Sequence, residues 1–165
     1  MRAPDTPADH LRGSRPDLLP GFLRNGEDVM LLDREDSRSV AAATLGLFPA
    51  LSGDRLDWSA GSVRERRWWD DEDGWARLAA ELLAPEVEAG ALVAVQWSNL
   101  ILPTVVLSAE LAVAHARDLL DVEPHLWIHP LGGRVLLECL VDGQVTLGTV
   151  PPRGTGAVRA SVSPS

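Results

Sequence analysis

Ala91-Leu-Val-Ala-Val-Gln-Trp97 and Val135-Leu-Leu-Glu-Cys-Leu-Val-Asp-Gly-Gln-Val-Thr-Leu-Gly-Thr149 bracket the stretch that decides the fold. In the first, Val93, Val95 and Trp97 fall on one face and Leu92, Ala94 and Gln96 on the other, the alternation of a strand with at least one buried face. In the second, Val135, Leu137, Cys139 and Val141 share one side, Asp142-Gly143 follows, and Val145, Leu147 and Thr149 share one side of the next run. Asp-Gly between two alternating runs signals a β-hairpin, because these residues accept the positive φ of a tight turn. Between the brackets, Leu100-Ile-Leu-Pro-Thr-Val-Val-Leu107 is apolar enough for a strand, but Pro103 cannot donate to a ladder and places it at an edge or breaks it. Ser108 then caps a helix over 109–120 with Leu111, Ala112, His115, Ala116, Leu119 and Leu120 inward, and residues 125–129 supply another strand.

Outward from this stretch the signals thin. Asp70-Asp-Glu-Asp73 supplies a cap and first-turn negative charge for a helix in which Trp75, Leu78, Ala79 and Leu82 recur at helical spacing until Pro85. Residues 55–58 and 63–69 read as a hairpin joined through Ser59-Ala-Gly-Ser62. Asp36 or Ser37 caps a further helix with Val40, Thr44, Leu47 and Phe48 on one face, ended by Pro49. Residues 28–32 read as a short strand or as the end of an arm. Residues 1–25 hold Pro4, Pro7, Pro16 and Pro20 around one apolar knot, Leu18, Leu19, Phe22 and Leu23, the make-up of a flexible arm that docks through the knot. Periodicity is lost from Pro151 onward, and a disordered tail is expected over 151–165. The element order implies one α+β domain over 26–150: an antiparallel or mixed sheet of five to six strands with two to three helices packed mainly on one face.

A chain of 165 residues, 45% of them hydrophobic, is long enough to bury a self-sufficient core as one domain. No apolar run approaches the roughly 18 residues of a membrane span, and no apolar segment of signal-peptide type follows Met1, so a cytoplasmic location is expected. The net charge is −9 and Lys is absent. A chain of this sign repels phosphate backbones and anionic lipid, which makes nucleic acid and membranes poor partners and a basic protein a fitting one. The single cysteine, Cys139, excludes an internal disulfide and a cysteine-rich metal site, and its place on the apolar side of a strand predicts burial.

Motifs of covalent catalysis and phosphate binding are missing: there is no Gly-x-Ser-x-Gly elbow, no Walker A loop and no dinucleotide fingerprint. His125 and His129 share a strand face but stand roughly 13 Å apart at about 3.3 Å per residue, too far to hold one ion together. The acids at 70–73 lack calcium-loop spacing. Neither a metal nor a cofactor is expected. His115 lies among Leu and Ala on its helix, where desolvation lowers an imidazole pKa; such surroundings suit a general base or, more commonly, a structural histidine bonded to a carbonyl.

What remains is Arg64-Glu-Arg-Arg-Trp-Trp69, running directly into Asp70 and Asp71. On an extended segment Trp68 and Trp69 point to opposite faces; with Trp68 outward, Arg64 and Arg66 share its side. Trp and Arg dominate the energetics of protein interfaces. The sequence therefore suggests a non-enzymatic protein-binding module of the inhibitor, immunity or dedicated-chaperone kind, acting through Arg64, Arg66, Trp68, Trp69, Asp70 and Asp71. The competing reading is an enzyme or small-molecule-binding domain whose pocket lies between the helix 109–120 and the strands of 125–150, lined by His115, His125, His129 and Glu138.

Overall fold

Among the described residues, seven strands form one antiparallel sheet: β1 (Met30–Leu31), β2 (Ser62–Trp68), β3 (Leu92–Trp97), β4 (Val105–Ser108), β5 (Leu126–Pro130), β6 (Val135–Cys139) and β7 (Gln144–Thr149), in the order β1-β4-β3-β5-β6-β7-β2. Five α-helices among the same residues accompany it, α1 (Gly21–Asn25), α2 (Arg34–Ala43), α3 (Glu72–Leu83), α4 (Ala109–Ala114) and α5 (Ala116–Val122). The computed structural model describes residues 11–49 and 55–153; residues 1–10 of the arm expected over 1–25 and residues 154–165 of the tail expected over 151–165 lie outside that range. Asp142-Gly143 makes the turn between β6 and β7, setting Leu137 opposite Leu147 and Cys139 opposite Val145. Gly143 has a φ of 91°, and a Cβ there would stand 2.6 Å from the Trp69 carbonyl oxygen, so the turn needs glycine on both counts.

Strand alternation sorts the side chains into two layers. On one face Val93, Val95, Trp97, Leu126, Ile128, Leu137, Cys139, Val145 and Leu147 form an apolar floor, roofed by Trp75, Leu78, Leu82 and Leu83 of α3 and by Ala112, Ala116, Leu119 and Leu120 of α4 and α5. The two tryptophans in this core each find a carbonyl: Trp75 Nε1 donates to Ala116 O at 2.8 Å and Trp97 Nε1 to Leu119 O at 3.0 Å. These bonds fix α3 to α5 and α5 to β3 while satisfying buried indoles. α2 and the short turn Leu45–Leu47 cover part of the opposite face, where Phe48, Trp58, Trp127, Leu136 and Val150 make a second, smaller core.

Several sequence expectations are revised. The strand count is seven because β1 is only two residues long; no alternation announces it, and its pairing of Met30 with Val106 and Leu31 with Val105 makes it a strand. β4 begins after Pro103, so that proline breaks the strand, and the strand itself lies inside the sheet between β1 and β3. The hairpin of 55–58 with 63–69 does not form: β2 pairs with β7, and Leu56 N and Trp58 Nε1 donate to Glu138 instead. Asp33, whose carboxylate accepts Asp36 N at 2.8 Å, caps α2 ahead of the expected Asp36 or Ser37. The helix over 109–120 is two helices, since His115 leaves helical geometry (φ −105°, ψ 20°). The apolar knot of the N-terminal segment docks, with Leu19 and Leu23 sealed in the main core.

Candidate binding surfaces

β2 is the outermost strand beyond β7, and each of its seven residues is exposed. Its charges are unequal in what they already do. Arg67 sits on the α3 side, bonding Glu65 at 2.9 Å and Glu81 of α3 at 3.3 Å. Arg64 falls where the register shifts between Val63 and Glu65, and this bulge frees it from the strand's alternation to reach Glu86 at 2.7 Å. Arg66 and Trp68 stand opposite Thr146 and Gln144 on the other face. Trp68 is 62% exposed, and Arg66 has no ion-pair partner among the described residues. Trp69 packs half-buried against the main core. The six residues singled out by sequence thus divide: Trp69 and Arg64 are engaged by the fold, while Arg66 and Trp68 are not.

The acids that follow divide in the same way. Asp71 caps α3 through a 2.6 Å bond from Gly74 N, and Asp73 is paired with Arg117 of α5. Among the described residues no bond or ion pair engages Asp70 or Glu72. Val141, 69% exposed, lies in the turn leading to Gln144, the residue paired with Trp68.

The four residues of the proposed pocket do not meet. His115 lies on the helix side of the sheet, partly exposed, with Nδ1 2.9 Å from Asp118 Oδ2 and its ring stacked on Phe22 at 4.7 Å. His125, His129 and Glu138 lie on the opposite face, because Leu126, Ile128, Leu137 and Cys139, which alternate with them, point to the helices. Glu138, 2% exposed, accepts Trp58 Nε1 and Trp127 Nε1 at 2.9 Å each and Leu56 N at 3.1 Å. Three neutral donors on one buried carboxylate make a charge-assisted knot that holds residues 55–58 on the sheet and occupies most of its acceptor sites. Trp58 can lie there because β7 offers Gly148, where a Cβ would stand 2.3 Å from the indole.

His129 does line a cavity, on the α2 side. The space measures about 490 Å³ and is bounded by Thr44 and Leu47, by Leu131 to Arg134 in the β5–β6 turn, and by Val150 to Arg153. Burial pushes the His129 pKa down, opposed by its contact with Pro130 O. Cys139 is sealed in the main core, where burial pushes the thiol up to about 12 and leaves no thiolate for chemistry. Among the described residues no three His, Cys, Asp or Glu side chains gather as a metal site, and no helix is long and apolar enough to cross a membrane. No protein-family model matches the chain, and no curated protein matches it.

Proposed function

We propose that this protein is a non-enzymatic protein-binding module that docks its partner along β2, with Trp68 as the apolar anchor and Arg66 as the ionic one. The observation that carries the reading is the pairing of a largely exposed tryptophan with an arginine lacking any ion-pair partner among the described residues, two positions apart on an open sheet edge. An edge strand presents unpaired backbone groups to an incoming strand, and Trp and Arg are the side chains whose burial contributes most at interfaces. The partner sought is a protein whose docking segment offers a carboxylate to Arg66 and basic groups to Asp70 and Glu72. The chain's charge of −9 favours a partner that is basic overall and speeds their encounter.

The test is capture from a native lysate on wild-type protein and on an Arg66→Ala, Trp68→Ala double variant side by side, followed by affinity measurement on any protein lost from the variant. The variant should bind at least about tenfold more weakly with an unchanged melting temperature. Equal capture by both proteins would reject the β2 surface.

A further inference from the structure

The cavity beside His129 is an island of opposite character in an acidic molecule. Its lining holds two arginines, Arg134 and Arg153, and one histidine, and no Asp or Glu, although the chain carries 24 acidic residues. Arg134 spends one donor on Val150 O at 3.0 Å, which fixes the guanidinium at the rim, and a guanidinium carries five. The apolar part of the lining is Val40, Ala43, Leu47, Leu131 and Val150. Within the lining, Thr44 Oγ1 donates to Val40 O at 2.8 Å and accepts Gln96 Nε2 at 3.2 Å, so the α2 wall is tied to the sheet by polar bonds.

His129 gives this cavity its directional group. The side chain is 5% exposed, and its Nε2 has no hydrogen-bond partner among the described residues. Nδ1 lies 3.3 Å from Pro130 O, an arrangement that puts the ring proton on Nδ1 and leaves Nε2 an acceptor. A buried acceptor without a donor is costly, and a ligand hydroxyl or amide N–H relieves it. A cavity of about 490 Å³ is of the size that takes small organic molecules.

We infer that this cavity binds a small amphiphilic organic acid, its carboxylate on Arg134, its apolar body against Leu47, Leu131 and Val150, and a hydroxyl or amide donor on His129 Nε2, an atom closed to solvent in the free protein that a turn of the ring brings to the ligand. Arg153 closes the rim with a second positive charge. The site is separate from the β2 edge, because its lining is drawn from α2 and the turn after it, His129 of β5, the β5–β6 turn and residues 150–153, and includes no residue of β2. Binding here therefore stands or falls independently of partner docking.

The test uses the full chain and three probes of similar size: 3-phenyllactate, which has the carboxylate, the hydroxyl and the apolar ring; 3-phenylpropanoate, which lacks the hydroxyl; and 3-phenylpropanol, which lacks the carboxylate. The readout is the His129 ring resonances in NMR titrations, assigned by comparison with His129→Gln. Phenyllactate should shift them saturably and bind most tightly, and the alcohol should bind about tenfold or more weakly, since a charge-assisted bond to arginine is lost. Arg134→Gln should erase the advantage of the acids over the alcohol. If that variant does not fold, the comparison of acid with alcohol on the wild type decides alone. Unmoved His129 resonances, or equal affinity for the alcohol and the acids, would overturn the inference.

Discussion

Leu137 and Glu138 are neighbours on β6, both almost sealed from solvent at 0% and 2% exposure, and they point to opposite faces of one sheet. Leu137 enters a layer made mostly of apolar side chains, where packing is largely non-directional and neighbours can adjust. Glu138 enters a layer that also buries Gln96, His129 and Thr146 beside a smaller apolar cluster, and there the polar contacts have a direction and a partner requirement. The helix face holds the molecule together by area; the α2 face is held by a few specific bonds and leaves room for a cavity.

Substitutions separate the two faces. Leu137→Ala should lower stability by about 2–5 kcal/mol in a denaturant melt, because the layer around it collapses only partly into the space left. Glu138→Gln should cost about 1–3 kcal/mol, since an amide offers one acceptor oxygen and sets an N–H against a donor. Its signature is local: the environments of Trp58 and Trp127 should change in fluorescence while the α3–α5 core stays intact. A loss as global and as large as that of Leu137→Ala would erase the distinction between the faces.

Smaller still is the effect of pH on the α2 face. His129 is held below its ordinary value of 6.5 by burial, so the folded state favours the neutral ring while the unfolded chain protonates first. The neutral ring's contribution is fully present above 6.5 and is lost as pH falls from there toward the lowered folded value. The melting temperature should therefore fall more steeply below that pH in wild type than in His129→Gln; parallel curves would show that the ring titrates normally. Least of all should Arg66→Ala with Trp68→Ala move stability, by under about 0.5 kcal/mol, because both side chains are exposed.

The helix face was legible in the sequence because period-two strands and the Trp75, Leu78, Ala79, Leu82 spacing point one way. The α2 face was not, for a physical reason. Its contacts join residues about 80 apart, as when Leu56 and Trp58 bond Glu138, and no local pattern encodes such a partner. The hairpin of 55–58 with 63–69 was read from proximity in sequence, whereas β2 found its partner in β7. His115 and His129 looked like one pocket because alternation assigns a residue to a face but does not say on which face the helix will land. Alternation already sets Arg66 beside Trp68 within the Arg64 to Trp69 cluster; the bulge that turns Arg64 to Glu86 is a property of pairing alone.

The most direct test of docking along β2 is amide hydrogen exchange on the protein alone and with the partner that the Arg66/Trp68 variant fails to hold. Protection should rise across residues 62–72 and stay level in α4 and α5. Protection confined to the helix face, with β2 exchanging as fast in the complex as in the free protein, would contradict it.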